Sequence, residues 1–195
     1  MSTSTPFTKY LQERLAGLVE VTGEQLAQLE SHYSLLLKWN SSMNLTTVTG
    51  MEEAAVRHYG ESLLLGNAIS GQAIVDIGTG PGFPGIPIAI LHPEWEVTLV
   101  ESHRRKAVFL REAARGLRNV RVAASRAEDV ADRFDWVVSR AVDPAFVLGL
   151  RIAPRFGLLI GSEDASKLGS AQITQLPWGH TRVIAIGNYP DQCST

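Results

Sequence analysis

The feature that most constrains this chain is the run Ala73-Ile-Val-Asp-Ile77, which leads straight into Gly78-Thr-Gly-Pro-Gly-Phe-Pro-Gly85. A short, largely apolar run bounded by glycine predicts a buried strand. Gly78, Gly80 and Gly82 then let the backbone turn sharply and allow a ligand to approach closely. In an open α/β sheet, ligands sit beyond the carboxyl ends of strands, where this turn would lie.

The rest of the chain fits such a sheet. Residues 84–91 predict a helix, with Pro84 tolerable near its first turn and Pro93 beyond its end. Glu96–Val100 reads as a second strand, and residues 103–117 as a second helix with Ala107, Leu110, Ala114 and Leu117 inward. Further strands are expected at residues 120–122, 135–139, 156–160 and 182–186. Strands alternating with helices predict an α/β fold with a doubly wound, mainly parallel sheet. The first 68 residues read differently, as helices. Phe7, Leu11, Leu15 and Leu18 recur at helical spacing. Thr22 with Gln25 is a capping-box pattern opening a helix whose apolar face is Leu26, Leu29, Tyr33, Leu36 and Leu37. Thr49 with Glu52 is a second such pattern, before a helix ending near Tyr59, and residues 61–68 continue as a short fourth helix. The expected organisation is a helical extension, residues 1–70, packed as a cap on an α/β domain of residues 71–195.

Several function classes are disfavoured. No stretch approaches the ~18 apolar residues of a membrane span, and the N-terminal residues lack the basic start and apolar run of a signal peptide. The single cysteine, Cys193, cannot form an internal disulfide, which fits a reducing cytoplasm. A net charge of −2 argues against a generally basic nucleic-acid binder. Residues 101–126 nevertheless hold eight basic side chains against two acidic ones, a local charge of +6. That asymmetry points to a local anionic partner.

Two ligand classes fit the glycine turn, because Gly80-Pro-Gly-Phe-Pro-Gly85 also satisfies the dinucleotide fingerprint. A pyrophosphate rests on backbone N–H groups at a helix N-terminus. Pro81, Pro84 and Pro87 lack that donor, and Asp76 would repel a pyrophosphate. This favours a ligand without phosphates, such as S-adenosylmethionine. Asp76 would then orient the turn or meet the methionine ammonium, directly or through water. Glu101 ends the second strand, 19 residues after Gly82, where a carboxylate accepts hydrogen bonds from ribose hydroxyls. Ser125-Arg-Ala-Glu-Asp129 is placed to read an adenine edge, with Ala127 leaving room for the ring; Ser125 and Glu128 also match a capping box.

The methyl acceptor is narrowed by elimination. After the fourth strand stands Ser139-Arg140-Ala141-Val142 in place of the Asp/Asn-Pro-Pro-aromatic motif of amine transfer. No cysteine is placed for covalent attack on a pyrimidine. An acceptor that is already nucleophilic remains, such as guanine N7, which needs no general base. The protein would then act by holding the reacting atoms ~3 Å apart and aligned. Arg140 is a candidate partner for the cofactor carboxylate, a substrate phosphate or guanine O6, or else for Asp76 or Asp143 in a salt bridge. The basic helix would carry Arg104, Arg111, Arg115 and Arg118 on one face, with His103-Arg104-Arg105-Lys106 nearest the cofactor. Such a face contacts phosphate, stacks on splayed RNA bases, or is simply solvated.

Together these residues resemble the RsmG (GidB) family, which methylates guanine N7 in a loop of bacterial 16S ribosomal RNA. The resemblance runs through Trp39-Asn-Ser-Ser-Met-Asn-Leu-Thr46, Arg57-His-Tyr-Gly-Glu-Ser-Leu63, Val75 to Pro87, Ser125-Arg-Ala-Glu128 and Val138-Ser-Arg-Ala141. It implies a class I methyltransferase (Rossmann-like) fold with an N-terminal helical extension. It implies cofactor contacts from Gly78, Phe83, Ala127, Glu128 and Arg140, to which the turn adds Gly80 and Gly82 and the second strand Glu101. The candidate RNA contacts are Arg104, Arg105, Lys106 and Arg111, the implied partner is 16S rRNA or a small-subunit particle, and neither metal nor oligomer is implied. The chain departs from the family pattern at Glu61, where Asp is usual, at Ile160-Gly161-Ser162-Glu163, where Lys-Gly is usual, and at Thr181-Arg182, where Arg-His is usual. Two other readings stay open, an NAD(P)-dependent oxidoreductase using the same turn and a non-catalytic RNA-binding module.

Overall fold

In a computed structural model, which describes residues 5–179 and 181–189, the helical spacing near the start becomes α1 (Pro6–Leu15). Its N-terminus is capped reciprocally by Thr5 and Thr8. Phe7, Leu11 and Leu15 are buried, but Leu18 lies past the helix end and is 41% exposed. The long helix α2 (Gly23–Met43) opens with the expected box: Gln25 N–H donates to Thr22 Oγ1 and Thr22 N–H to Gln25 Oε1. Leu26, Leu29, Tyr33 and Leu36 face the core, whereas Leu37 is 40% exposed. The apolar face is therefore narrower than expected. Gln25 also donates to the carbonyls of Ile90 and Leu91, which ties α2 to the helix that follows the glycine turn.

The second expected box does not form. Helix α3 (Met51–Ala54) is capped by Gly50 with no side-chain bond. Glu52 thus stands at the second helical position, one short of the third that a box requires. The helix continues through a π-helical turn, Ala55–Gly60, into α4 (Glu61–Ala68).

The strands are β1 (Ala73–Ile77), β2 (Glu96–Val100), β3 (Val120–Ala123), β4 (Trp136–Arg140), β5 (Arg155–Gly161), β6 (Gln172–Gln175) and β7 (Arg182–Asn188). They form one sheet in the order β3-β2-β1-β4-β5-β7-β6. The pairs from β3 to β5 are parallel, while β7 runs antiparallel to both neighbours. Strand β6 was not foreseen because all four of its residues are exposed, leaving no apolar pattern to read. Helix α5 (Gly85–Leu91) follows β1, and α6 (Arg104–Ala113) follows β2. The expected continuation of α6 to residue 117 fails after Ala113, where the chain turns before Gly116. Short helices α7 (Pro144–Gly149) and α8 (Ser162–Ala165) complete the described elements.

The chain order reverses between β1 and β4, so the crevice beyond their carboxyl ends is the switch point. Successive strand residues point to opposite faces. Ile74 accordingly joins one core cluster and Val75 the other. The first cluster runs without interruption from Phe7, Leu29 and Tyr59 to Leu99 and Phe109, so the N-terminal helices and one face of the sheet share their burial. Truncating Leu29 to Ala in this cluster should cost about 2–5 kcal/mol. Urea unfolding followed by circular dichroism and tryptophan fluorescence should show one shifted transition; two separated transitions would mean that the helices melt by themselves.

Candidate active site

Asp76, near the end of β1, is fully buried under the glycine turn. Its Oδ2 accepts from Thr79 Oγ1 at 2.6 Å and from the Gly85 amide at 2.7 Å. Its Oδ1 is buried without a partner among the described residues. Burial pushes the carboxyl up to about 7, against the pull of those two hydrogen bonds. Gly78, Gly80 and Gly82 have φ of 67°, 57° and 98°, in the left-handed region that disfavours a side chain.

The turn has no spare amide. The N–H groups of Gly78 and Thr79 donate to Val100 O, those of Gly82 and Phe83 to Thr79 O, and that of Ile86 to Gly82 O. Gly80 N–H donates to Glu101 Oε2 and Gly85 N–H to Asp76, while Pro81 and Pro84 have none to give. A pyrophosphate resting here would have to displace these bonds beside a buried acid. Glu101 is itself buried, and its second oxygen accepts from His103 N–H at 2.7 Å.

Arg140 ends β4 with its guanidinium 4.8 Å from the centre of the Phe83 ring. Its Nη1 donates to Arg57 O at 3.0 Å and to His58 Nδ1 at 2.6 Å. Arginine has only donors to offer, so His58 Nδ1 must be the acceptor. The His58 proton then sits on Nε2, 2.8 Å from Thr46 Oγ1. His58 stacks on Phe83 at 4.7 Å between centroids. Burial, helped by the Arg140 charge, holds His58 down to about 3. Burial also lowers Arg140, to about 10, which leaves it cationic at neutral pH. Among the described residues no salt bridge joins Arg140 to Asp76 or Asp143; the Asp143 carboxylate caps α7 at Ala145 N–H instead.

A second histidine pins the turn from the other side. His32, on α2, has Nε2 3.0 Å from Pro81 O and Nδ1 2.8 Å from Tyr59 Oη. A carbonyl only accepts, so Nε2 carries the proton and Nδ1 accepts from tyrosine. Burial holds His32 down to about 4. Neither histidine had a role in the sequence reading. The available signal was His32 falling among Leu29, Tyr33 and Leu36 on the apolar face of a helix. Glu61 is buried and takes a bidentate bond from Arg182 at 2.8–3.0 Å, so two departures from the family pattern are partners.

Other expected residues are arranged more loosely. Ala127 is buried and begins a 3-10 turn, Ala127–Asp129, next to exposed Glu128. The Ser125–Glu128 box is absent, because Arg126 occupies the cap position and a single 3-10 turn leaves no helix for the box to close. Arg104, Arg105 and Arg111 are exposed on α6 and Lys106 is half-buried. Arg115 and Arg118 fall beyond the end of α6, and Arg115 pairs with Glu112 at 2.5 Å. The expected four-arginine face therefore shrinks to Arg104 and Arg111, with Val108 exposed between them. Among the described residues, no acidic, histidine or cysteine cluster could hold a metal and no helix is long and apolar enough to cross a membrane. Cys193 lies outside the described residues.

Residues 25–148 match the family described as GidB, rRNA small subunit methyltransferase G. The chain belongs to this family. A ribosomal RNA small subunit methyltransferase G of Nitrosomonas europaea is 44% identical over 140 residues, 68% of this chain and 65% of that protein. One of Pelotomaculum thermopropionicum is 42% identical over 156 residues, 74% of this chain and 65% of that protein. The matched stretch thus spans just under two thirds of these relatives. The fold is also that of magnesium protoporphyrin IX methyltransferase from Synechocystis PCC 6803, solved with bound S-adenosylmethionine. There the TM-score is 0.51 at 11% identity, covering 80% of this chain and 96% of that one. The GidB match runs from α2 to α7 and contains His32, His58, the glycine turn, Glu101 and Arg140; β5 to β7 lie outside it.

The buried titratable groups set a pH dependence of stability. His32 and His58 stay neutral in the fold but titrate near 6.5 when unfolded. Their contribution is complete above that pH and is lost as pH falls toward 4. Asp76 has the opposite sign: raised from 3.8 to about 7, it reduces stability as pH rises through that interval. Between pH 4.5 and 6.5, unfolding should therefore take up about one proton in the native sequence and about two in Asp76→Asn. Urea midpoints should fall on acidification, more steeply in the variant. Equal slopes would refute the raised Asp76 pKa.

Proposed function

We propose that this chain transfers a methyl group from S-adenosylmethionine to N7 of a guanine in bacterial 16S ribosomal RNA. Membership of the GidB family supports the reaction class. The observation that carries the cofactor is the turn itself, with its amides engaged and one buried Asp76 oxygen unpartnered. Such a site suits a cationic ammonium, or a water held by it, better than a polyanion. On this reading Gly78, Gly80, Gly82, Phe83, Ala127 and Glu128 line the cofactor, Glu101 takes the ribose hydroxyls and Arg140 faces the methionine carboxylate or the substrate. Arg104, Arg105, Lys106 and Arg111 would contact RNA phosphate. Residues 1–70 would be an extension packed on a methyltransferase domain of residues 71–195, an assignment supported by their shared core. Small-subunit rRNA, free or in a particle, would be the partner, in the cytoplasm.

The sulfonium supplies an electrophilic methyl group. Guanine N7 offers a lone pair and no proton, so a C–N bond forms as the C–S bond breaks and no base is required. What the protein contributes is alignment, an effect worth up to ~7–11 kcal/mol in favourable cases. The histidines nearest the turn fit this absence of base chemistry, since both ring nitrogens of each are engaged.

Labelled methyl transfer to unmethylated small-subunit RNA, with the product base mapped, tests the proposal. Label should appear at a guanine N7. Tight NAD binding without adenosylmethionine binding would favour the oxidoreductase reading, and RNA binding without transfer the binding-module reading. Arg140→Ala should lower kcat/KM on the order of 100-fold, the scale of losing about 2.7 kcal/mol, with the melting temperature changed by only a few degrees. Survival of activity would refute its assignment. Neutralising Arg104 and Arg111 together should reduce the salt dependence of RNA binding by about one to two phosphate contacts; an unchanged slope would make this a solvated face.

A further inference from the structure

We infer that His58 is a positioning residue for Arg140, holding the guanidinium by accepting at Nδ1 so that its outer donors are presented to the ligand. The inference rests on the proposed methyltransferase reading and goes beyond it, because it assigns a function to a residue of the helical extension. Both protein bonds of Arg140 leave from Nη1, to His58 Nδ1 and Arg57 O. Among the described residues no acceptor engages Nη2 or Nε. A long flexible side chain is thus fixed at one corner and laid over Phe83, with the rest of its fork open.

The chain devotes an unusual piece of backbone to this arrangement. Arg57 and His58 lie in the π-helical turn, where Glu61 N–H reaches back to Val56 O. A π-turn inserts one extra residue into a helix, re-aims the side chains around it, and is found often at functional sites. The turn is packed from outside, since a Cβ on Gly60 would come within 2.9 Å of the Trp178 ring. The tautomer is fixed as well: Thr46 Oγ1, which also receives Val48 N–H, stands at the protonated Nε2 and leaves Nδ1 to accept. Three elements thus converge on one arginine: the loop at Thr46, the π-turn, and Phe83 of the glycine turn.

Two variants separate the acceptor from the ring. His58→Phe keeps a ring to stack on Phe83 but has no acceptor. His58→Asn gives up the ring but puts Oδ1 where Nδ1 was. Adenosylmethionine affinity by calorimetry, kcat and KM by methyl transfer, and melting temperature should be measured for both. His58→Phe should weaken cofactor binding and raise the cofactor KM about tenfold or more while remaining folded, and His58→Asn should recover most of the loss. Equal losses in both, or a larger loss in Asn, would make His58 a packing residue and overturn the inference. In an Arg140→Ala background His58→Phe should add no further loss; additive penalties would also overturn it. Guanidinium nitrogen resonances of Arg140 give a readout without cofactor: resolved in the native sequence, they should average in His58→Phe. If the native protein binds no adenosylmethionine but the resonances behave so, the methyltransferase reading fails and the positioning role stands. If binding is intact and the resonances are unchanged in His58→Phe, the positioning role fails alone.

Discussion

The carboxylate of Asp76 is the point on which the site hangs. Placing an acid without exposure at the centre of a parallel sheet is costly, and the cost is met only in part by the bonds from Thr79 and Gly85. Its raised pKa records the remainder. The two bonds close the glycine turn on itself, fixing where α5 begins and therefore how it lies on the sheet. With the turn closed, its amides point inward and the carbonyl of Pro81 is left for His32. Without that acid only the Gly85 amide would be released, since the others are held by Val100, Thr79, Gly82 and Glu101.

From there the structure explains why a helical extension precedes the sheet. The sheet and its connections supply the turn, Phe83 and Arg140 and close the turn through Asp76, Val100 and Glu101, but further groups immobilise them. Those come from the first 61 residues: His32 and Tyr59 against the turn, His58 and the Arg57 carbonyl against Arg140, and Glu61 against Arg182. Phe83 sits in edge or stacked contact with His32, His58 and Tyr59, so one aromatic ring is held by two segments of the extension. Aromatic pairs of this kind prefer particular ring angles, and the cluster therefore transmits position rather than merely filling space. The fold and the site are not separable layers here, since the same contacts serve both.

Legibility followed burial. Strands β1, β2, β4 and β5 are largely apolar because both faces are covered, and their runs stand out from the sequence, whereas β3 is only half-buried and carries the exposed Arg121. The Thr22–Gln25 box was readable because cap and third position fall at a fixed spacing, and the Gly78–Gly82 turn because left-handed backbone selects glycine. The same spacing misled at Thr49 and Ser125, where a one-residue shift of the helix start and a single 3-10 turn leave the pattern without its hydrogen bonds. Strand β6 exposes all its residues, and its pairing is set by the neighbouring antiparallel strand rather than by its own composition. Histidines 32 and 58 were harder still. A lone polar residue carries no period, and what defines each is a partner 49 or 82 positions away.

Those two histidines also bear on the reaction. A general base must be neutral, reachable and free to take a proton. Both residues meet the first condition, with pKa values held near 4 and 3, but their acceptor nitrogens are taken by Tyr59 and Arg140 and their N–H groups by Pro81 and Thr46. Asp76 is the remaining group with a suitable pKa, yet one of its oxygens is bound by Thr79 and Gly85 and the other would face the cofactor ammonium or its water. Around the turn, then, the proton-accepting side chains serve as fixed struts. An acceptor carrying a proton to be removed, such as an exocyclic amine, would find little help here. A ring nitrogen with a bare lone pair needs only to be aimed, and a site built from immobilised histidines, a clamped arginine and a closed turn is suited to aiming.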